Sequence, residues 1–546
     1  MKNLFVSLLL MLAIPAASQP FTGEPSAVSI VCEDGYLTTV NKGETYQAED
    51  VTVKTEQVGL GLRFSLNSPT KPVKKVVARW NKKANPKSLF LGDHWERSYG
   101  DLEWKGVDES RVMPWYYLEY DGKSTLGIGV MTGCRAMCSW RVTPEYVELS
   151  MDVRNGSHGV RLGSRQLEMA TVVTCQSKKG EKTFKTLHRF CQTMCPKPRL
   201  PQQPVYGIND WYFAYGHNSD SLILKTVDMM HDLIPQNGNR PYCLIDAGWA
   251  CVAPGKNSAN CWSDNFYTSG PKFKDMKHLA SEIKRKGMRP GLWMRPLCAP
   301  VGAPERRLMP QYERTDSPND RILDPTVEEN RAYIRQCFQT YREWGYEMVK
   351  HDFSTVDILG KWGFEMIRDG DITQGDWRFH RQDMTTAEVI LQLYKDIREA
   401  AGDICLIGCN TVSHLSAGIF ELQRIGDDTS GKEWDRTRKM GVNSLAFRAA
   451  QHNAFYAADA DCVGLTTEID WQKNKQWMQL LAYSGTPLFI SAQPEAMGDE
   501  QRAFIRHCFG QASKEQPIGE PLDWFLTPVP SQWILDGKTV EFDWFR

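Results

Sequence analysis

After its first eighteen residues the chain has no apolar run long enough to cross a bilayer, which takes about 20 residues. It has no surplus of one charge either. Lys and Arg number 65 against 66 Asp and Glu, so neither nucleic acid nor an anionic membrane is indicated as a partner. Cysteine is present (15 residues) but never as Cys-x-x-Cys, so no metal site is expected and nothing calls for a cofactor. Cys243, Cys405 and Cys462 sit inside apolar runs and read as small buried hydrophobes. An exported chain could still oxidise a pair such as Cys191 with Cys195.

Export is the expectation from the one long apolar stretch. Lys2 precedes the run Leu4 to Ile14, and Pro15-Ala16-Ala17-Ser18 places small residues where signal peptidase cuts. Residues 1–18 therefore read as a secretory signal, and the protein as periplasmic or extracellular.

At 546 residues the chain is long enough for two or three domains. From 19 to 200 apolar and polar residues alternate between turns, as in Leu60-Gly61-Leu62-Arg63-Phe64-Ser65-Leu66, which predicts an antiparallel β-sandwich. The Pro-rich segment from Pro196 to Pro204 marks a boundary. Beyond it short apolar runs alternate with amphipathic stretches. The runs are Val205–Trp211, Tyr242–Asp246, Gly291–Met294, Met348–Asp352, Ile404–Cys409, Glu421–Gly426, Ala454–Cys462 and Pro487–Ser491. Eight such units over 201–495 predict a (β/α)8 TIM barrel, whose chemistry lies at the C-terminal strand ends. Over 496–546 the Asp536-Gly537 turn between apolar runs predicts a short C-terminal β appendage.

Acidic residues follow two of these runs. On the fourth, side chains two apart share a face, so Lys350 accompanies Asp352 and His351 points away. A neighbouring cation favours an ionised Asp352, which suits a nucleophile, although a structural ion pair is the plainer reading. On the sixth, the same parity selects Arg424, Gly426 and Asp428, and leaves Asp427 to cap the next helix. Repulsion from Asp352 would raise the Asp428 pKa, as a general acid requires, with Arg424 working against it. Two carboxyls are the minimum equipment for cleaving a glycosidic bond: one protonates the leaving oxygen, the other attacks or activates water.

The runs carry a series of motifs that resembles glycoside hydrolase clan D, the α-galactosidase-like enzymes, and family 36 more than family 27. The motifs are Gly207-Ile208-Asn209-Asp210-Trp211-Tyr212, Leu244-Ile245-Asp246-Ala247-Gly248-Trp249, Pro290-Gly291-Leu292-Trp293, Leu323-Asp324-Pro325-Thr326, Lys350-His351-Asp352-Phe353, Arg424-Ile425-Gly426-Asp427-Asp428-Thr429, Asp459-Ala460-Asp461-Cys462 and Ser484-Gly485-Thr486-Pro487-Leu488. Each is short, and the order is the signal. The resemblance implies an exo-acting, retaining glycosidase on an oligosaccharide or glycoside, with Asp352 as nucleophile and Asp428 as general acid/base. It further implies that Lys350 and Arg424 hold ring hydroxyls and that Asp246 binds sugar oxygens deep in the pocket. Trp211 and Trp293 become wall residues, and Asp210 and Cys409 join the substrate-binding set.

Two positions depart from the pattern. Ala247 stands where the clan has a second aspartate, which opens an arabinopyranoside as an alternative to a galactoside. The stretch Asn410-Thr411-Val412-Ser413-His414 matches no pattern and keeps an N-acetylgalactosaminide open. Arg295, also counted as substrate-binding, either reaches an acidic sugar or pairs with Glu305, the pairing being favoured. A hydrolase or transglycosidase of another (β/α)8 clan is one further reading, and a non-catalytic carbohydrate-binding protein on the same barrel is another. Retention of Asp352, Asp428, Lys350 and Arg424 argues against the latter.

Overall fold

The structure is a computed structural model that describes residues 23–250, 266–300, 302–310 and 321–545. The expected leader, Met1–Ser18, lies outside the described residues. Among those residues no helix is long and apolar enough to cross a membrane.

Alternation in the N-terminal region becomes antiparallel strands. In Val51–Val58, Val51, Val53 and Thr55 are buried while Lys54 and Glu56 are exposed, the period of two that gives a strand one dry face. Two antiparallel sheets result, one of 6 strands and one of 8. Their dry faces meet: Phe64 of one approaches Trp80 of the other at 6.1 Å between ring centroids, and Tyr117 approaches Trp140 at 5.8 Å.

After residue 205 a 9-stranded parallel sheet forms. Its strands are β1 (Tyr206–Asn209), β2 (Tyr242–Ile245), β3 (Arg289–Met294), β4 (Met348–His351), β5 (Cys405–Gly408), β6 (Leu422–Arg424), β7 (Ala457–Asp459), β8 (Cys462–Leu465) and β9 (Leu488–Ala492). Nearly every residue in them is buried, so these strands read as continuous apolar runs rather than alternating ones. Neighbours in the sheet run β7-β6-β5-β4-β3-β2-β1-β9-β8. The two ends of that order, β7 and β8, are separated in the chain only by Ala460 and Asp461, so the sheet curls until its edges are consecutive in sequence. The seventh predicted run is therefore two strands. Asp461, at φ 75°, turns into the left-handed region and breaks the ladder there.

Helices Asp220–His231, Met276–Arg285, Glu328–Trp344, Thr386–Ala401 and Trp471–Tyr483 occupy the amphipathic stretches. Thr386–Ala401 shows why. The Thr385 hydroxyl accepts from Glu388 N–H at 3.0 Å and Glu388 accepts from Thr385 N–H at 3.0 Å, a capping box that starts the helix. Val389, Ile390, Leu393, Tyr394 and Ile397 form its buried stripe.

The C-terminal region holds more than strands. Asp499–Ala512 is a helix whose Phe509 packs on Tyr206 of β1, with centroids 5.2 Å apart, so it lies against the parallel sheet. Beyond it Gln532–Leu535 pairs with Lys538–Glu541. Asp536 and Gly537 between them both have positive φ (47° and 74°), as a two-residue type I′ turn requires.

One contact between the two regions matters most for the site. The chain after strand Leu89–Gly92 runs beside the end of β6. Ser98 N–H donates to the Ile425 carbonyl at 2.9 Å, and Asp427 N–H donates to the Ser98 carbonyl at 2.8 Å. Ser98 and Gly426 thus pair like parallel strands. Glycine is required at 426, since a Cβ there would strike Ser444 and the Met440 carbonyl.

Candidate active site

Asp246 follows β2, Asp352 follows β4, and Asp427 and Asp428 follow β6, all at C-terminal ends of parallel strands. Strand ends expose side chains whose strand interiors are packed, which is why chemistry collects there. A cavity of ≈ 300 Å³ opens at this end. Asp246, Lys350, Asp352 and Asp428 line it together with the rings of Trp211 and Trp293.

Asp352 is 8% exposed and fully engaged. Its Oδ1 accepts from Phe353 N–H at 2.8 Å and from Asn410 N–H at 3.1 Å, and Oδ2 accepts from Trp293 Nε1–H at 3.0 Å. Burial works to raise its pKa, but Lys350, Arg97 and the Trp293 hydrogen bond outweigh it and hold the carboxyl below the usual range. Phe353 follows at φ 66°, an unfavourable conformation for its side chain, which its ring contacts with Trp293 and Trp362 keep in place.

Lys350 Nζ donates to Asp246 Oδ2 at 2.8 Å, and Asn209 Nδ2–H donates to the same oxygen at 2.7 Å. Burial would lower the lysine pKa; Asp246, Cys409 and Asp352 reverse that and keep it charged. The pair places one cation beside two carboxylates at the cavity floor.

Asp428 differs from the sequence expectation. Its side chain is 36% exposed and its Oδ1 accepts from Arg424 Nη2 at 3.1 Å. Burial works to raise its pKa, yet Arg424, Arg97 and Lys350 carry it well below the usual carboxylate range. Repulsion from Asp352 is present but is outweighed by the cations.

Several expected site residues stand elsewhere. Arg424 is buried and does not line the cavity; its Nη2 is spent on Asp428 and on Asp461 at 3.0 Å, so it backs the wall instead of facing a sugar. Asp210 also lies behind the wall, accepting from Asp246 N–H at 2.6 Å and from Asn218 Nδ2–H at 2.6 Å. Cys409 is buried between Arg97 and Arg424, with N···S distances of 3.8 and 3.7 Å. Arg295 reaches neither a sugar site nor Glu305. It grips Asp357 (Nε–Oδ2 3.1 Å, Nη2–Oδ1 2.6 Å), because the chain after β4 turns a buried carboxylate toward it, while Arg321 takes Glu305. Cys191 and Cys195 are both buried free thiols at the end of one helix.

Other wall residues were not expected. Asp427 lines the cavity beside Asp428, because β6 ends at Arg424 and strict alternation ends with it. It is held by Arg97 Nη2 at 2.9 Å and by Arg436 Nη2 at 2.7 Å. Arg97 and Tyr99 come from the N-terminal region, and Trp362 and Phe364 from the segment after β4. The only local signal for the first two is a run of polar and aromatic residues, His94-Trp95-Glu96-Arg97-Ser98-Tyr99, outside any strand pattern. The unassigned stretch after β5 gives the site one backbone donor, Asn410 N–H to Asp352, and is otherwise packed away from the cavity. His414 stacks on Trp115 (5.0 Å) and Thr411 donates to Gln423 at 2.7 Å, and neither lines the cavity.

No family model matches the chain. A 61-residue segment, 11% of the chain, is 34% identical to a probable isochorismatase from Pseudomonas chlororaphis; it spans 28% of that curated relative and carries no argument about activity. Whole-chain similarity lies with solved structures. An α-galactosidase from Thermus thermophilus, in complex with p-nitrophenyl α-D-galactopyranoside, matches at TM-score 0.60 over 93% of this chain and 99% of its own, with 15% identity. The fold is that of the α-galactosidases. A family 36 α-galactosidase from Geobacillus stearothermophilus matches at 0.59, with 12% identity, 89% of this chain and 74% of its own. A GH31 family sulfoquinovosidase from E. rectale matches at 0.58, with 11% identity, 95% of this chain and 87% of its own. The resemblance to clan D therefore holds for the α-galactosidase-like fold along nearly the whole chain.

Proposed function

We propose that this protein is a retaining, exo-acting glycoside hydrolase, with Asp352 as nucleophile and Asp428 as general acid/base. One observation carries the reading: two carboxylates from different strand ends, Asp352 after β4 and Asp428 after β6, line one cavity. Asp352 Oδ1 is occupied by two backbone donors, which leaves Oδ2, with a single ring N–H, to attack the anomeric carbon. The bond to the leaving oxygen breaks as Asp428 gives that oxygen its proton. Esterification removes the charge on Asp352, which lowers the Asp428 pKa further and suits it to take a proton from water. Water then attacks the anomeric carbon, the sugar is released and Asp352 regains its charge.

Since both carboxyls are held low, protonated Asp428 accumulates as the pH falls. Turnover needs Asp428 protonated while Asp352 is ionised, so it should be greatest at acidic pH and fall as the pH rises. An α-galactoside is the first substrate class. Ala247 on the wall favours a sugar lacking a polar group near C6 or O4, an arabinopyranoside, as the second. The division into a β-sandwich over 19–200, a (β/α)8 barrel from 201 and a short β appendage belongs to the same reading, with Asp499–Ala512 counted to the barrel. So does export by residues 1–18.

A panel of aryl α- and β-glycosides tests the assignment. Asp428→Asn should lose about 10²–10⁴-fold in turnover. Asp352→Asn should lose at least as much. Azide should restore the Asp428 variant on substrates with good leaving groups, with retained stereochemistry. Wild-type turnover in Asp352→Asn would reject the reading.

A further inference from the structure

The N-terminal β region delivers one charged side chain directly to the acid/base candidate. Arg97 is buried, with Nη2 2.9 Å from Asp427 Oδ1 and Nη1 3.5 Å from Asp428 Oδ1. Arg424 Nη2 approaches the same Asp428 oxygen at 3.1 Å. Two guanidiniums therefore share Oδ1, while Oδ2 takes no hydrogen bond among the described residues and the side chain stays 36% exposed. Arg97 is itself held on three sides. Its guanidinium lies 5.1 Å from the Trp362 ring centroid, Ser98 is paired with Gly426, and Glu96 accepts from Gly363 N–H at 2.8 Å and from Asn410.

We propose that Arg97 is a positioning residue for Asp428: with Arg424 it clamps Oδ1, so that Oδ2 is the oxygen presented to the glycosidic oxygen, and Asp427 moderates the clamp by sharing the guanidinium. The inference rests on the reading of Asp428 as acid/base. The 3.5 Å approach to Asp428 and the 2.9 Å pair with Asp427 make Arg97 a divided cation, and the division is what can be tested.

Charge from every side bears on Asp428. Arg424 comes from its own strand, Lys350 from β4, Arg436 from helix Trp434–Thr437 and Arg97 from the N-terminal loop. Asp352 opposes them, and the Tyr212 and Tyr215 phenols face it from the segment after β1. Arg97 also acts on Asp352 in the same direction.

The pH dependence of kcat/KM on an aryl glycoside that the wild type turns over reads the clamp. In Arg97→Gln both limbs should move to higher pH, by about one unit, the lower end of what a close opposite charge produces. Asp427→Asn should move them to lower pH, because the guanidinium is then shared no longer. Arg97→Lys should return the limbs toward wild type but not kcat, since an ammonium lacks the fork that spans two carboxylates. Limbs that stay in place in a folded Arg97→Gln enzyme, or that move the same way in both variants, overturn the proposal. If Arg97→Gln does not fold, Asp427→Asn decides by the presence or absence of its downward shift. Failure of the underlying reading is separate: it would show as wild-type turnover in Asp352→Asn, or as no glycoside turned over at all.

Discussion

Ala247 is the shortest side chain on the cavity wall, next to Asp246. A carboxylate there would add one charge-assisted hydrogen bond to a sugar hydroxyl, worth about 1.5–3 kcal/mol. Ala247→Asp should therefore raise the ratio of kcat/KM for a galactoside over an arabinopyranoside by about ten- to a hundredfold. An unchanged ratio would mean that the sugar does not approach this wall. Asp427 teaches a different lesson at the same scale. Parity along a strand assigns faces only while the strand lasts. β6 ends at Arg424, and the pairing of Gly426 with Ser98 re-aims the two aspartates that follow.

Among the elements, β1 and β2 bring Asp210 up behind the cavity-lining Asp246. Burial, with Asp246 second, pushes the Asp210 pKa up to about 7, whereas an unfolded aspartate titrates near about 3.9. The folded state thus holds this proton more tightly than the unfolded chain. Its contribution to stability is complete below about pH 4 and is lost as the pH rises through about 7. Urea unfolding across that window should show wild type losing stability relative to Asp210→Asn as the pH climbs. Parallel curves for the two proteins would remove Asp210 as the titrating group. The strands themselves were plain in the sequence, because a parallel strand covered on both faces must be apolar throughout. The split between β7 and β8 was not, because Asp461 reaches its left-handed φ only where the Tyr212 hydroxyl, Thr429 and Arg424 hold its carboxylate.

For the whole molecule, the joint between the N-terminal sheets and the parallel sheet is buried and charged. Arg448 has no exposed surface, and its Nε lies 2.8 Å from Asp93 Oδ1. Gln451 donates to Asp93 Oδ2 at 3.0 Å. Asp93→Asn keeps the shape but strands a buried guanidinium, at a cost of about 3–5 kcal/mol. The denaturant midpoint should fall accordingly; a midpoint within error of wild type would show the joint to be solvated. Because Asp93 lies four residues before Arg97, loosening this joint should also disturb the cavity wall.

Local rules therefore decided a great deal. Period-two patterning specified the antiparallel sheets, continuous apolar runs specified the parallel one, and carboxylates after β2, β4 and β6 marked its C-terminal edge as the chemical end. Those features follow from interactions between near neighbours, which any stretch of chain displays on its own. The membership of the cavity wall came from elsewhere. Arg97 meets Asp428 only because Ser98 docks on a strand end 328 residues away, and Arg424 and Arg295 leave the wall because buried carboxylates claim their guanidiniums first. Such choices depend on which charges the finished fold leaves without water, and no local pattern encodes that.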